Sequence, residues 1–149
     1  HGRLVHLAEV WRRRDGSLVM DFEVVLADVM ALDDPACIGP LLELFEDEPP
    51  SDHLLFSVVH GIEAFPDYVP RLVGGTTALL QRAPRWARIL YVRALNCEAS
   101  RSELSSALRG ASEEARVSVS QLLDGIEPSR PELAAKVAEV RRTPSSNGA

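Results

Sequence analysis

Two histidines and a glutamate are the residues whose spacing most suggests chemistry. His60-x-x-Glu63 falls in an apolar run with helical periodicity, so the two side chains sit one turn apart on a shared face, and His53, seven residues earlier, points to the same side. Such a pair could move a proton or begin a metal site. Di-iron bundles use Glu-x-x-His, but they need the motif twice, with further glutamates on other helices. Here the order is reversed, and Glu-x-x-His itself occurs nowhere in the chain. We therefore expect no metal, and a His60 that is structural or touches a partner. Nucleophilic catalysis finds no support either. There is no Gly-x-Ser-x-Gly, and Gly74-Gly75-Thr76-Thr77 lacks the Gly-Lys-Ser/Thr core of a phosphate loop. Cys37 and Cys97 lie in apolar helical patterns without a CxxC spacing, and read as core thiols of a reducing compartment. With no catalytic set, the chain reads as a non-enzyme without a cofactor.

Arg82, Arg85, Arg88 and Arg93 form a basic cluster interleaved by Trp86 and Tyr91, a pattern found in some nucleic-acid binders. Trp86 falls on the apolar stripe, however, and the chain is acidic overall, so no nucleic acid is expected as partner. Arg93 and Asn96 follow Trp86 by seven and ten residues, near the buried stripe. A buried arginine needs a carboxylate, and Glu63 is the expected one. Glu63, Arg93 and Asn96 are read as a structural polar network in preference to a binding site.

The elements that must position these residues are helices. From Met20 the apolar residues recur three and four apart: Phe22, Val25, Leu26, Val29 and Leu32; then Ile38, Leu41, Leu42 and Phe45; then Leu54, Leu55, Val58, Val59 and Ile62. Asp21, Asp34-Pro35 and Ser51 are their start signals, and Pro49-Pro50 is a break. Further stripes run from Tyr68 to Leu80, with Gly74-Gly75 implying close packing or a kink, and from Trp86 to Cys97. Ser100-x-x-Glu103 and Ser129-x-x-Glu132 read as capping boxes, and Ser112 as a cap ahead of Glu113 and Glu114. The expected fold is all-α. Seven or eight amphipathic helices would stack as antiparallel pairs in a HEAT-like manner, forming one domain over residues 20–142 with a disordered tail at 143–149. Residues 1–19 stay open between a hairpin turning at Arg14-Asp15-Gly16-Ser17, a short helix from Leu4 to Arg13, and sequence upstream of a start at Met20. No run of about 20 apolar residues exists to span a membrane.

Charge is unevenly spread. Between Asp15 and Pro70 there are 13 acidic residues and no Lys or Arg, whereas from Arg71 onward 12 basic residues face 8 acidic ones. An electronegative half repels nucleic acid and attracts cationic partners; it also serves solubility.

Several blocks between Ile38 and Asn96 then fall in a familiar order. Leu41-Leu42-Glu43-Leu44-Phe45 precedes an acidic loop. Val58-Val59-His60-Gly61-Ile62-Glu63-Ala64-Phe65 follows, then Asp67-Tyr68-Val69, Ala83-Pro84-Arg85-Trp86-Ala87 and Arg93-Ala94-Leu95-Asn96. In these blocks the chain resembles the bacterial immunity proteins numbered thirty among polymorphic toxin systems. The resemblance implies a cytoplasmic protein of the producing bacterium that binds and neutralises the C-terminal domain of a cognate, contact-delivered toxin. Many such toxins are nucleases, whose substrate clefts are basic. The expected contact is therefore the acidic loop, Glu46, Asp47, Glu48 and Asp52, with the adjoining flank of the next helix, His53, Phe56, Ser57 and His60. Phe56 is either an aromatic anchor or a packed residue. A HEAT-like adaptor in an unrelated cytoplasmic assembly is the alternative.

Overall fold

Helix boundaries fall largely where the chain supplies a cap or a proline. Ser51 Oγ accepts the Leu54 amide at 3.3 Å and Ser112 Oγ the Ala115 amide at 3.1 Å, while Pro84 opens a helix in its first turn. A computed structural model describes residues 1–142, so the expected disordered tail lies outside the described residues. Among these the chain forms nine α-helices and no strand. It divides into two compact units, His1–Tyr68 and the residues from Val69 onward.

The first unit contains α1 (Gly2–Arg13), α2 (Leu18–Ala31), a 3-10 turn at Pro35–Cys37, the short α3 (Ile38–Leu42) and α4 (Asp52–Glu63). Of the readings open for residues 1–19, the helical one is realised. Arg14 closes α1 in the left-handed region with φ 52°, and the Arg14–Ser17 turn joins two helices where the hairpin reading would need strands. Arg13 meets Asp21 at 2.5 Å and Arg3 donates to the Asp28 carbonyl at 3.2 Å, which makes α1 and α2 antiparallel. The core is Leu7, Val10 and Trp11 from α1, the Phe22–Val29 stripe of α2, and the fully buried Leu54, Leu55, Val58, Val59 and Ile62 of α4. Trp11 packs on Phe22 with ring centroids 5.1 Å apart.

The second unit follows as α5 (Tyr68–Arg82, starting one residue earlier), α6 (Pro84–Leu95), α7 (Glu98–Gly110), α8 (Glu113–Ser129), a 3-10 turn at Pro131–Leu133 and α9 (Ala134–Arg141). Thr76 and Tyr91 are buried together: the Thr76 hydroxyl donates to the Leu72 carbonyl at 2.7 Å and lies 2.5 Å from the Tyr91 hydroxyl. Arg101 pairs with Glu139 at 3.0 Å and joins α7 to α9.

Several local expectations are corrected. Asp21 does not cap α2, which starts three residues earlier; its carboxylate is drawn to Arg13 instead. Leu32, placed on the buried stripe by spacing, is exposed as the helix ends. The helix expected through Phe45 stops at Leu42, and tighter turns bury Leu44 and Phe45. Neither capping box forms. Ser100 lies inside α7, and the Ser129 hydroxyl turns back to the Gly125 and Ile126 carbonyls at the end of α8. Cys37 is buried as expected, but Cys97 is exposed in the turn before α7. Helix α5 runs through Gly74, where an added Cβ would meet nothing within 4 Å, so close packing is not the reason for that glycine.

Candidate functional site

The acidic loop emerges because α3 ends at Leu42 and Pro49-Pro50 delays the next helix to Asp52. Its four expected carboxylates do not behave alike. Glu46 is half-buried and occupied: one oxygen accepts from the Trp11 indole at 3.3 Å and the other from the Arg14 guanidinium. It fastens the loop to the end of α1. Asp47 is half-buried, whereas Glu48 and Asp52 are exposed, the latter in the first turn of α4 where a carboxylate complements the helix dipole. A groove of about 420 Å³ runs between α1 and α3, with Trp11 in its wall and Glu43 and Glu46 on its rim.

On α4, His53 and His60 are exposed, and Phe56 and Ser57 half-buried. Glu23 of α2, which sequence reasoning missed, brings two of them together. Its carboxylate lies 3.3 Å from His53 Nε2 and accepts the Ser57 hydroxyl at 3.4 Å. An added Cβ at Gly61 would lie 3.0 Å from Met30 Sδ, so residues 23 to 30 of α2 track residues 53 to 61 of α4 in the same direction. Glu23 carries no local signal, because its partners are 30 or more residues away.

Arg93 is exposed, not buried. The buried face of α6 turns toward Ala87, Tyr91 and Leu95 as well as Trp86, Leu90 and Ala94, which leaves Arg93 off its edge. Asn96 is also exposed and accepts Lys136 at 2.8 Å, while Glu63 on α4 is half-buried. Arg82, Arg85 and Arg88 are exposed, but Trp86 and Tyr91 are fully buried, so no base could stack on either ring. Among the described residues no group of three or more His, Cys, Asp or Glu is placed to hold a metal ion, and no helix is long and apolar enough to cross a membrane.

Comparison with known families decides the affiliation. The family model described as Immunity protein 30 matches residues 4–104, more than half of the 149-residue chain. The chain belongs to the immunity protein 30 family. Membership supports a toxin-immunity role. The match begins within α1, well before the blocks that carried the resemblance, and ends within α7. No match is found among the curated proteins or among the solved structures.

Proposed function

We propose that this chain binds and neutralises a cognate antibacterial toxin domain of basic character, a nuclease above all, in the cytoplasm of the bacterium that makes the toxin. It acts by stoichiometric occlusion and not by turnover, without cofactor or nucleic acid. The observation that carries the reading is the immunity-family match over residues 4–104. The chemistry of the partner comes from charge. The segment holding α2, α3 and α4 has 13 carboxylates and no Lys or Arg from Asp15 to Pro70. A surface of that sign speeds encounter with a cationic cleft and discriminates against acidic proteins.

Glu48 and Asp52, both exposed, are the leading carboxylates of the contact, with the half-buried Asp47 beside them. His53, Phe56, Ser57 and His60 supply the α4 flank. Glu46 contributes by holding the loop against α1. Glu63, Arg93 and Asn96 are assigned to the fold and not to the contact.

Calorimetric titration against the catalytically disabled toxin domain encoded beside this chain tests the reading. The expected result is one-to-one binding that weakens as salt rises. A folded toxin domain that gives no heat and no complex on a sizing column refutes it.

A further inference from the structure

The outward face of α2 is apolar where a surface helix ordinarily carries charge. Met20, Val24, Ala27 and Ala31 recur at spacings of four, three and four, and all four are exposed, Met20 at 78% and Val24 at 63%. At about 100° per residue they form one narrow stripe. The opposite side, Phe22, Val25, Leu26 and Val29, is in the core. The stripe therefore belongs to no packing within the first unit.

Its borders are polar. On the α4 side lies Glu23 with His53 and Ser57, and on the α1 side lie Asp21 and Asp28. Arg13 of α1 is already matched by Asp21 and Arg14, just past its end, by Glu46, and Arg3 is held on the Asp28 carbonyl. Glu23 meets only a histidine and a hydroxyl among the contacts described, and the Asp28 carboxylate is exposed. An apolar centre inside an acidic rim is the anatomy of a protein contact, and it fits a cationic surface that offers an apolar depression. Met20 suits the centre, because an unbranched thioether adapts to irregular shapes.

We propose that the Met20–Val24–Ala27–Ala31 face of α2, with Glu23 and Asp28 at its edges, is the central docking surface for the basic toxin domain, and that the acidic loop is peripheral to it. This rests on the toxin-binding reading above and names its surface.

The test is calorimetry of the full chain with the disabled toxin domain encoded beside it, comparing the parent with M20S/V24S and with V5S/L32S. The second variant removes exposed apolar side chains from outside the stripe. Thermal melts of all three should coincide, since every altered side chain is exposed. M20S/V24S should weaken Kd by about 30-fold or more, as for central apolar contacts, and V5S/L32S by less than about threefold. Parent binding with M20S/V24S within about threefold overturns the α2 surface and leaves toxin binding standing. Absence of parent binding overturns both. Sedimentation velocity adds a third arm: a parent dimer that M20S/V24S dissociates assigns the face to a second copy of this chain and also overturns the proposal.

Discussion

Replacing Thr76 by Val should cost more than replacing its partner Tyr91 by Phe, and making both changes should cost less than the two costs added. The Thr76 hydroxyl donates to the Leu72 carbonyl at 2.7 Å, so in the 2.5 Å contact it must accept from Tyr91. Both side chains are fully buried. Thr76→Val keeps the shape but strands the Tyr91 hydroxyl away from water, which costs about 1–3 kcal/mol. Tyr91→Phe removes only a bond that Thr76 receives and leaves Thr76 satisfied by Leu72, at about 0.5–1.5 kcal/mol. The double variant has no stranded group and should come close to Tyr91→Phe alone, giving a coupling as large as the Thr76→Val cost, about 1–3 kcal/mol. Urea unfolding resolves this, because a 2 kcal/mol loss moves the midpoint by about 1 M at a typical m value. Additive costs would show that no Tyr91-to-Thr76 bond exists. The same pair has a signature in base. Burial pushes the Tyr91 phenol well above its ordinary pKa of 10.0. The folded state keeps Tyr91 neutral where the unfolded chain ionises. The stabilisation is therefore complete below pH 10 and falls as pH rises beyond it, by up to about 1.4 kcal/mol per pH unit. Tyr91→Phe should flatten that fall relative to the parent.

Other expectations are simpler. Gly74→Ala should raise stability by about 1 kcal/mol, read from the thermal midpoint, because the position is an exposed helix interior with open space for the methyl group. A midpoint below the parent's would reveal a close neighbour. Cys97 should react with an aromatic disulfide reagent in the folded protein while Cys37 reacts only on unfolding: Cys97 is exposed, and hydrogen bonds from Ser100 lower its thiol pKa. Two equal reaction rates would refute the assignment. Glu46→Ala should lower stability, read from the thermal midpoint, by about 1 kcal/mol or less, since Arg14 is exposed, whereas Glu48→Ala should leave it unchanged. Equal effects would mean that Glu46 does not fasten the loop.

What the sequence made legible was set by local rules. The core stripes of α2 and α4, the caps at Ser51 and Ser112 and the break at Pro49-Pro50 follow from side-chain spacing and backbone chemistry within a few residues, and they stand in the structure. The misreadings share a different cause. Ser100 and Ser129 match a capping pattern, yet where a helix starts depends on what its neighbours bury, and α7 begins two residues ahead of Ser100. Counting from Trp86 puts Arg93 near the buried stripe, but the buried face of α6 is widened toward Tyr91, whose hydroxyl finds Thr76 in another helix. Residues 4–13 satisfy helix and strand about equally until α2 covers Leu7, Val10 and Trp11. Of the candidate contact, charge bias exposed the acidic half from the start. Glu23, and the fact that Glu46 is occupied, depend on partners 30 or more positions away and were invisible.

Trp11 and Trp86, the only two tryptophans, are both buried, one in each compact unit. The molecule thus carries two built-in fluorophores, and each reports on a different half. Trp11→Phe silences the first half and Trp86→Phe the second, so a pair of emission melts asks whether the halves lose their structure together or in turn. Neither ring lies on the outward α2 face, so the same emission should stay steady while a partner docks there and shift only when the interior opens.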